Sequence, residues 1–190
     1  MKELKMIWES HYWKNDLLRY SKSLRRQLIQ QKWYEASFAH LEKSIMLGFY
    51  IVRKLIEAKK LSDSVANQKL PATNYPPKGK PISLMNWHKL DKLYDFSKGR
   101  TSSVKASFIA NQFIHSYVFA PCFNKDGILD GVFVSSDRDR NHILRLVYID
   151  DVIHLFESIV DDDPNEIRMV FNSERCDYDV ESYTHERGKR

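Results

Sequence analysis

Two polar residues in a mostly apolar segment are the first place where the sequence suggests chemistry. Asn111 and His115 lie four residues apart in SVKASFIANQFIHS, residues 103–116, so on a helix they share one face and lie within hydrogen-bonding reach. Such a pair is a candidate catalytic site. The spacing favours a second interpretation, because Val104 and Phe108 continue the same row and predict that it faces inward. A buried polar pair must be hydrogen-bonded, so we expect Asn111 and His115 to be mostly buried.

Several cationic side chains are candidate phosphate ligands. Arg100 precedes two hydroxyl residues that can cap the predicted helix, and a helix N-terminus attracts phosphate. Arg138 and Arg140 lie in the polar turn SDRDRN, residues 136–141, from which they could reach the same site. A third group recurs at helical spacing near the start of the chain: Arg19, Lys22 and Arg26.

Charge is unevenly distributed along the chain. Residues 1–149 contain 25 Lys and Arg against 13 Asp and Glu, whereas residues 150–190 contain 5 against 12. A basic body with an acidic end fits a polyanion partner such as RNA, DNA or a phosphorylated ligand. It also fits an acidic segment that folds back over a basic surface. The alternative is that these charges only keep the protein in solution.

The sequence predicts neither a metal site, nor a cofactor, nor a membrane span. His142 and His154 belong to different predicted elements and lack ligand spacing,. The two cysteines, Cys122 and Cys176, are too few for a disulfide scaffold, which favours a reducing cytoplasm. No apolar run approaches the roughly 20 residues that a spanning helix needs.

The first half of the chain has helical periodicity. Residues 3–30 and 32–61 predict two long amphipathic helices joined by a short link, and hence an antiparallel helical hairpin. Gly48 in the second helix permits a neighbouring helix to approach closely. The inward row of that helix, which we expect to be almost fully buried, includes Phe38, Ile45, Phe49 and Val52.

The middle and the second half of the chain show other patterns. The density of prolines in residues 71–81 predicts a loop, and residues 86–96 predict a short helix. Beyond the helix at 103–116, the period changes to that of strands, and a further helix follows. We assign three strands to 117–123, 131–136 and 142–149, and the helix to 150–162.

These elements predict one α+β domain over residues 1–171, followed by a loosely ordered polar tail over residues 172–190. The expected architecture is mainly a helical bundle. It contains the long antiparallel hairpin, a three-stranded antiparallel β-meander and a closing helix.

The Asn-x-x-x-His pattern that follows an amphipathic helical hairpin resembles the HEPN domain (higher eukaryotes and prokaryotes nucleotide-binding). Ribonucleases of that family carry Arg, then a polar residue that is commonly Asn, then three more residues and His. By position, Asn111 and His115 match this motif, whereas Ala110 stands where the family has Arg. The chain is also similar to a group of uncharacterised bacterial proteins with an Asn-Gln-x-Ile-His-Ser segment followed by Phe-Val-Ser-Ser-Asp, here Phe133 to Asp137.

The resemblance implies a bacterial protein that binds RNA or a nucleotide, in a setting of stress or phage defence. Catalysis is expected to be absent or weak, because Ala110 supplies no charge or donor for the phosphate. Two alternatives remain open. One is a metal-independent endoribonuclease that uses His115 for acid–base chemistry with an arginine from elsewhere. The other is an interaction protein that forms a homodimer, or docks a partner, through its helical hairpin.

Overall fold

The computed structural model describes residues 7–184 of the 190-residue chain. Residues 3–6 of the predicted first helix and residues 185–190 of the predicted tail lie outside the described residues. The helices are α1 (Ser10–Leu28), α2 (Glu35–Glu57), α3 (Asp63–Ala66), α4 (Leu90–Leu93), α5 (Ala106–Ile114) and α6 (Ile149–Asp161), with a 3-10 turn at Phe96–Lys98. The strands are β1 (Lys69–Tyr75), β2 (Arg100–Lys105), β3 (Ser116–Phe123), β4 (Leu129–Ser136), β5 (Leu144–Tyr148), β6 (Glu166–Asn172) and β7 (Asp177–Tyr183).

An antiparallel five-stranded sheet forms the centre of the fold, with the strand order β2-β1-β5-β4-β3. Helices α1, α2, α5 and α6 build the main core on one face of this sheet. The segment 76–95 covers part of the other face with a smaller apolar cluster, which includes Leu93 and Tyr94. The chain is therefore a sheet with helices packed on it.

The predicted helical bundle with a three-stranded meander is wrong, although the chain is α+β. Residues 116–123, 129–136 and 144–148 do form strands, but β1 and β2 extend their sheet to five. β1 occupies part of the predicted loop at 71–81. It tolerates Pro71 because this residue lies in the stretch that pairs only with β2, whereas pairing with β5 begins at Thr73,.

β2 replaces the start of the helix that the sequence predicts at 103–116. It is an edge strand whose residues are exposed, apart from a half-buried Val104, so it has no alternating apolar pattern to reveal it. Its pairing with β1 from Lys105 to Arg100 makes it a strand. Helix α5 consequently begins only at Ala106.

The C-terminal segment contains a second, two-stranded sheet. Strand β7 lies within the predicted tail and pairs with β6 in continuous antiparallel register. Asp162 attaches the end of this hairpin to the domain, because its carboxylate accepts hydrogen bonds from the Ser62 N–H at 2.7 Å and from Thr184 Oγ1 at 2.7 Å. Residues 172–184 are thus paired and anchored, where the sequence predicts loose order.

The inward row of α2 contributes to the centre of the core. Ile45, Phe49 and Val52 are fully buried, as predicted, whereas Phe38 is 39% exposed, so the prediction is wrong for Phe38. Gly48 allows α6 to approach, because a methyl group there would collide with the Phe156 ring. The inward row of α2 therefore packs mainly against other helices of the same chain, such as α5 and α6.

Candidate functional site

One end of the sheet gathers most of the candidate residues. β1 and β4 end there, β2, β3 and β5 begin there, and residues 137–143 form the β4–β5 loop. Helix α5 ends beside this loop, where the Asp137 N–H donates to the His115 carbonyl at 3.0 Å. An open cleft of about 590 Å³, here called the His115 cleft, is lined by Arg53, Phe108, Asn111, Gln112, His115, Ser136, Asp137, Arg138 and Asp139.

Asn111 and His115 are exposed in this cleft, so the prediction that they are buried is wrong. That prediction counted a helical row from Val104, but Val104 belongs to β2. The inward face of α5 is instead formed by residues such as Ile109 and Phe113. Neither the Asn111 nor the His115 side chain has a hydrogen-bond partner among residues 7–184, so both can contact a ligand.

Ala110 faces the core and is fully buried. The alanine methyl group therefore supplies no donor to the His115 cleft. The arginines that line the cleft come from other elements: Arg53 from α2 and Arg138 from the β4–β5 loop.

A buried polar network forms the floor of the His115 cleft. Gln112 Oε1 accepts hydrogen bonds from the Ser136 N–H and from Arg145 Nη1, each at 3.1 Å. Arg145, only 9% exposed, also pairs with Asp139 at 2.8 Å and lies over the Phe108 ring at 4.8 Å. The network joins α5, β4, β5 and the β4–β5 loop, and it neutralises the Asp139 carboxylate.

Arg140 stabilises the loop and does not point a free charge into the cleft. Its guanidinium pairs with Asp137 at 2.7 Å and stacks on the Tyr117 ring at 3.8 Å. The Tyr94 hydroxyl donates to the Arg140 carbonyl at 2.6 Å. Both carboxylates of the cleft, those of Asp137 and Asp139, are therefore paired with arginines.

The two remaining cations of the cleft differ in their partners. Arg53 Nε donates to Glu57 Oε1 at 2.7 Å, and this hydrogen bond lowers the pKa of Glu57. Arg138 is exposed and has no ion-pair or hydrogen-bond partner within the described part of the chain. Arg138 is thus the uncompensated positive charge of the His115 cleft.

The other predicted phosphate ligands lie elsewhere. Arg100 lines a separate cleft at the same end of the sheet. The cations of α1 are exposed but do not line the His115 cleft: Arg19 pairs with Asp16, and Arg26 Nε donates to the Lys22 carbonyl at 3.3 Å. The structure therefore brings together Asn111, His115 and Arg138, and leaves the α1 cations apart.

Sequence reasoning missed Arg53, Gln112 and Arg145. Arg145 did leave a signal, because it is the one charged residue in the apolar strand segment HILRLVYI. A charged side chain in a buried strand requires a partner. The identity of that partner depends on the β4–β5 loop and on α5, which periodicity does not reveal.

Within residues 7–184, the structure contains no group of three His, Cys, Asp or Glu side chains arranged to hold a metal ion. None of the described helices is both long enough and apolar enough to span a membrane. Comparison of the chain with family models, with curated proteins and with solved structures finds no match.

Tyr94, whose hydroxyl holds the β4–β5 loop through the Arg140 carbonyl, is expected to make the protein less stable at alkaline pH. Burial raises the pKa of Tyr94 to about 12, above the value near 10 of an exposed tyrosine. Because the folded state favours the neutral phenol, this stabilisation is complete below about pH 10 and is lost as pH rises toward about 12. Between about pH 9 and 12, the free energy of unfolding of the wild type should fall by about 2 kcal/mol more than that of Tyr94→Phe, because phenylalanine has no phenol to ionise. Denaturant titrations of both proteins measure the difference, and parallel pH profiles would contradict it.

Proposed function

We propose that the protein binds RNA or a nucleotide in the His115 cleft, with Arg138 as the principal phosphate contact and with little or no catalysis. The observation that carries this proposal is that the Arg138 guanidinium lines the same cleft as the exposed side chains of Asn111 and His115, and that none of the three has a partner among residues 7–184. Phosphate oxygens are the acceptors that such a guanidinium binds best.

The composition of the cleft supports a nucleotide ligand over a simple anion. Asn111 supplies an amide donor and acceptor, which can bind a base edge or a ribose hydroxyl. Phe108 has the Arg145 guanidinium over its ring and is still 38% exposed, and an exposed aromatic ring is a platform for base stacking. Repulsion of the phosphate is limited, since Asp137 and Asp139 are paired with arginines.

The setting of this function stays a prediction from the sequence. Relationship to the HEPN domain, and a role in bacterial stress or phage defence, remain proposals, and the binding proposed for the His115 cleft does not depend on them. We propose the cytoplasm as the compartment. The free thiols of Cys122 and Cys176 support this choice, because a reducing compartment keeps cysteines unpaired.

The test is binding of a fluorescein-labelled oligouridine of about 8 nucleotides, measured by fluorescence anisotropy. Arg138→Gln is expected to weaken binding about tenfold, since it removes one charge-assisted phosphate contact. It should also reduce the slope of log K against log salt by about 0.7, the value for one phosphate of a single strand.

Lys125→Gln is the matched control for this experiment. Lys125 is also an exposed cation in a turn between strands, but its turn joins β3 to β4 at the opposite end of the sheet. The control should bind oligouridine as wild type does. Equal binding by Arg138→Gln and wild type, or equal losses in both variants, would exclude the His115 cleft as the phosphate site.

A metal-independent endoribonuclease is the second candidate. It is favoured by the exposure of His115 in the cleft that also contains Arg53 and Arg138, where a proton-transfer group and phosphate-binding charges could act together,. Cleavage of the same RNA in the presence of a chelator tests it. His115→Ala should abolish cleavage while leaving the melting temperature unchanged, because the exposed imidazole has no hydrogen-bond partner to lose in the described residues. Wild-type protein that does not cleave would contradict this candidate and leave binding as the function.

A further inference from the structure

A second basic cleft lies at the same end of the sheet as the His115 cleft. This Arg100 cleft, of about 480 Å³, is lined by Asn74, Pro76, Lys98, Arg100, His142 and Ile143. None of its lining residues is acidic. Lys98 pairs with Asp95 at 3.2 Å, whereas the Arg100 and His142 side chains have no partner in the part of the chain that the structure describes.

The strand register connects the two clefts. Arg100 of β2 lies opposite Asn74 of β1, and Asn74 lies opposite Arg145 of β5. Register partners project from the same face of a sheet, so these three side chains form one row. Strands are about 4.8 Å apart, which places Arg100 roughly 10 Å from Arg145. Arg145 in turn contacts Asp139 and Phe108 of the His115 cleft.

The β4–β5 loop contributes to both clefts. Its first residues, including Arg138, line the His115 cleft, and His142 lines the Arg100 cleft. Arg138 and His142 are four residues apart, a separation that spans at most about 14 Å. Among residues 7–184, Arg138 and His142 therefore present side chains without partners on the two sides of one short loop.

We propose that the Arg100 cleft is a second phosphate-binding site, and that the two clefts together hold one RNA strand across the end of the sheet. This inference rests on the proposed function of the His115 cleft and specifies its ligand. The spacing of roughly 10 Å between Arg100 and Arg145 equals about three nucleotide steps of a stacked strand, so one strand can follow this row from one cleft towards the other. The ligand is accordingly a single strand of several nucleotides, and a mononucleotide occupies only the His115 cleft.

Asn74 lies between Arg100 and Arg145 in this row and lines the Arg100 cleft. Its Nδ2 donates to Ser102 Oγ at 2.6 Å, which holds the amide between β1 and β2.

The experiment compares labelled oligouridines of about 8 and about 2 nucleotides. Arg100→Gln should weaken binding of the long probe about tenfold and reduce its salt slope by about 0.7. It should leave binding of the short probe unchanged, because the short probe needs only the His115 cleft. Lys105→Gln is the matched control, since Lys105 is an exposed cation at the other end of the same strand.

The outcomes separate this inference from the proposed function. If Arg100→Gln binds the long probe as wild type does while Arg138→Gln has lost it, the second site is excluded and the His115 cleft remains the binding site. If Arg138→Gln binds both probes as wild type does, the proposed function of the His115 cleft is excluded. The proposal that both clefts hold one RNA strand is then excluded as well. A loss in Arg100→Gln that is equal for both probes would also overturn the proposal of a second site.

Discussion

Replacing Phe49 by alanine is expected to lower the free energy of unfolding by about 3–5 kcal/mol. Phe49 is fully buried. Its ring stacks on Phe113 of α5 with centroids 4.6 Å apart and meets Phe156 of α6 edge-on at 5.4 Å. The substitution would leave a cavity where α2, α5 and α6 meet, and rigid helices close such a cavity only in part. Urea denaturation of wild type and variant measures the loss.

Phe38→Ala is the control for this prediction. Phe38 belongs to the same helix and is the same residue type, but it is 39% exposed and packs near Trp33 and Phe123 at the edge of the core. Its removal should cost about 1–2 kcal/mol, because less area is buried and no enclosed cavity forms. Equal losses in the two variants would show that the centre of the core is not at Phe49.

The second large effect is expected for Arg145→Ala, which should destabilise the protein by about 2–4 kcal/mol. The guanidinium is nearly buried and binds both Gln112 and Asp139. Its removal leaves the Gln112 acceptor with one donor fewer and the Asp139 carboxylate without its cation. Since Asp139 is still partly exposed, water recovers some of this loss, and the effect stays below that of Phe49→Ala.

A double-mutant cycle isolates the contribution of the ion pair. Asp139→Asn removes the charge that Arg145 neutralises, so the loss caused by Arg145→Ala should be smaller in the Asp139→Asn background. Thermal and urea unfolding of the four proteins measure the coupling. Strict additivity would mean that the Arg145–Asp139 pair does not contribute to stability, and that Arg145 acts through its hydrogen bond to Gln112 and its packing on Phe108.

Some elements of the fold could be predicted because their own residues encode them. Helix α6 is an example: the sequence predicts it at 150–162, and it forms at Ile149–Asp161 with its apolar row buried against the core. The same holds for α2 from Leu41 to Leu55, where buried apolar residues recur over about four turns,. In both cases periodicity and burial agree, so local pattern is sufficient.

The architecture could not be predicted in the same way. β2 is a strand only because β1 lies beside it, and its exposed polar residues carry no alternation. β1 has two buried residues, Leu70 and Ala72, and a proline between them, so its local signal is that of a loop. Strand pairing is a contact between distant parts of the chain, and it overrides weak local preference.

For the candidate site too, the sequence identifies some features and only the tertiary structure decides others. The sequence alone singled out Asn111 and His115 by residue type and spacing, and it offered Arg138 as one of six candidate phosphate ligands. It also determined that the chain is basic before residue 150. Only the tertiary structure decided that Asn111 and His115 face solvent, because the start of α5 depends on where β2 ends. It also decided which arginine is free: Arg140 and Arg145 are paired with carboxylates of the β4–β5 loop, whereas Arg138 has no ion-pair partner in the part of the chain that the structure describes. A charge becomes available to a ligand through its lack of partners, and partners are set by packing between elements that are far apart in sequence.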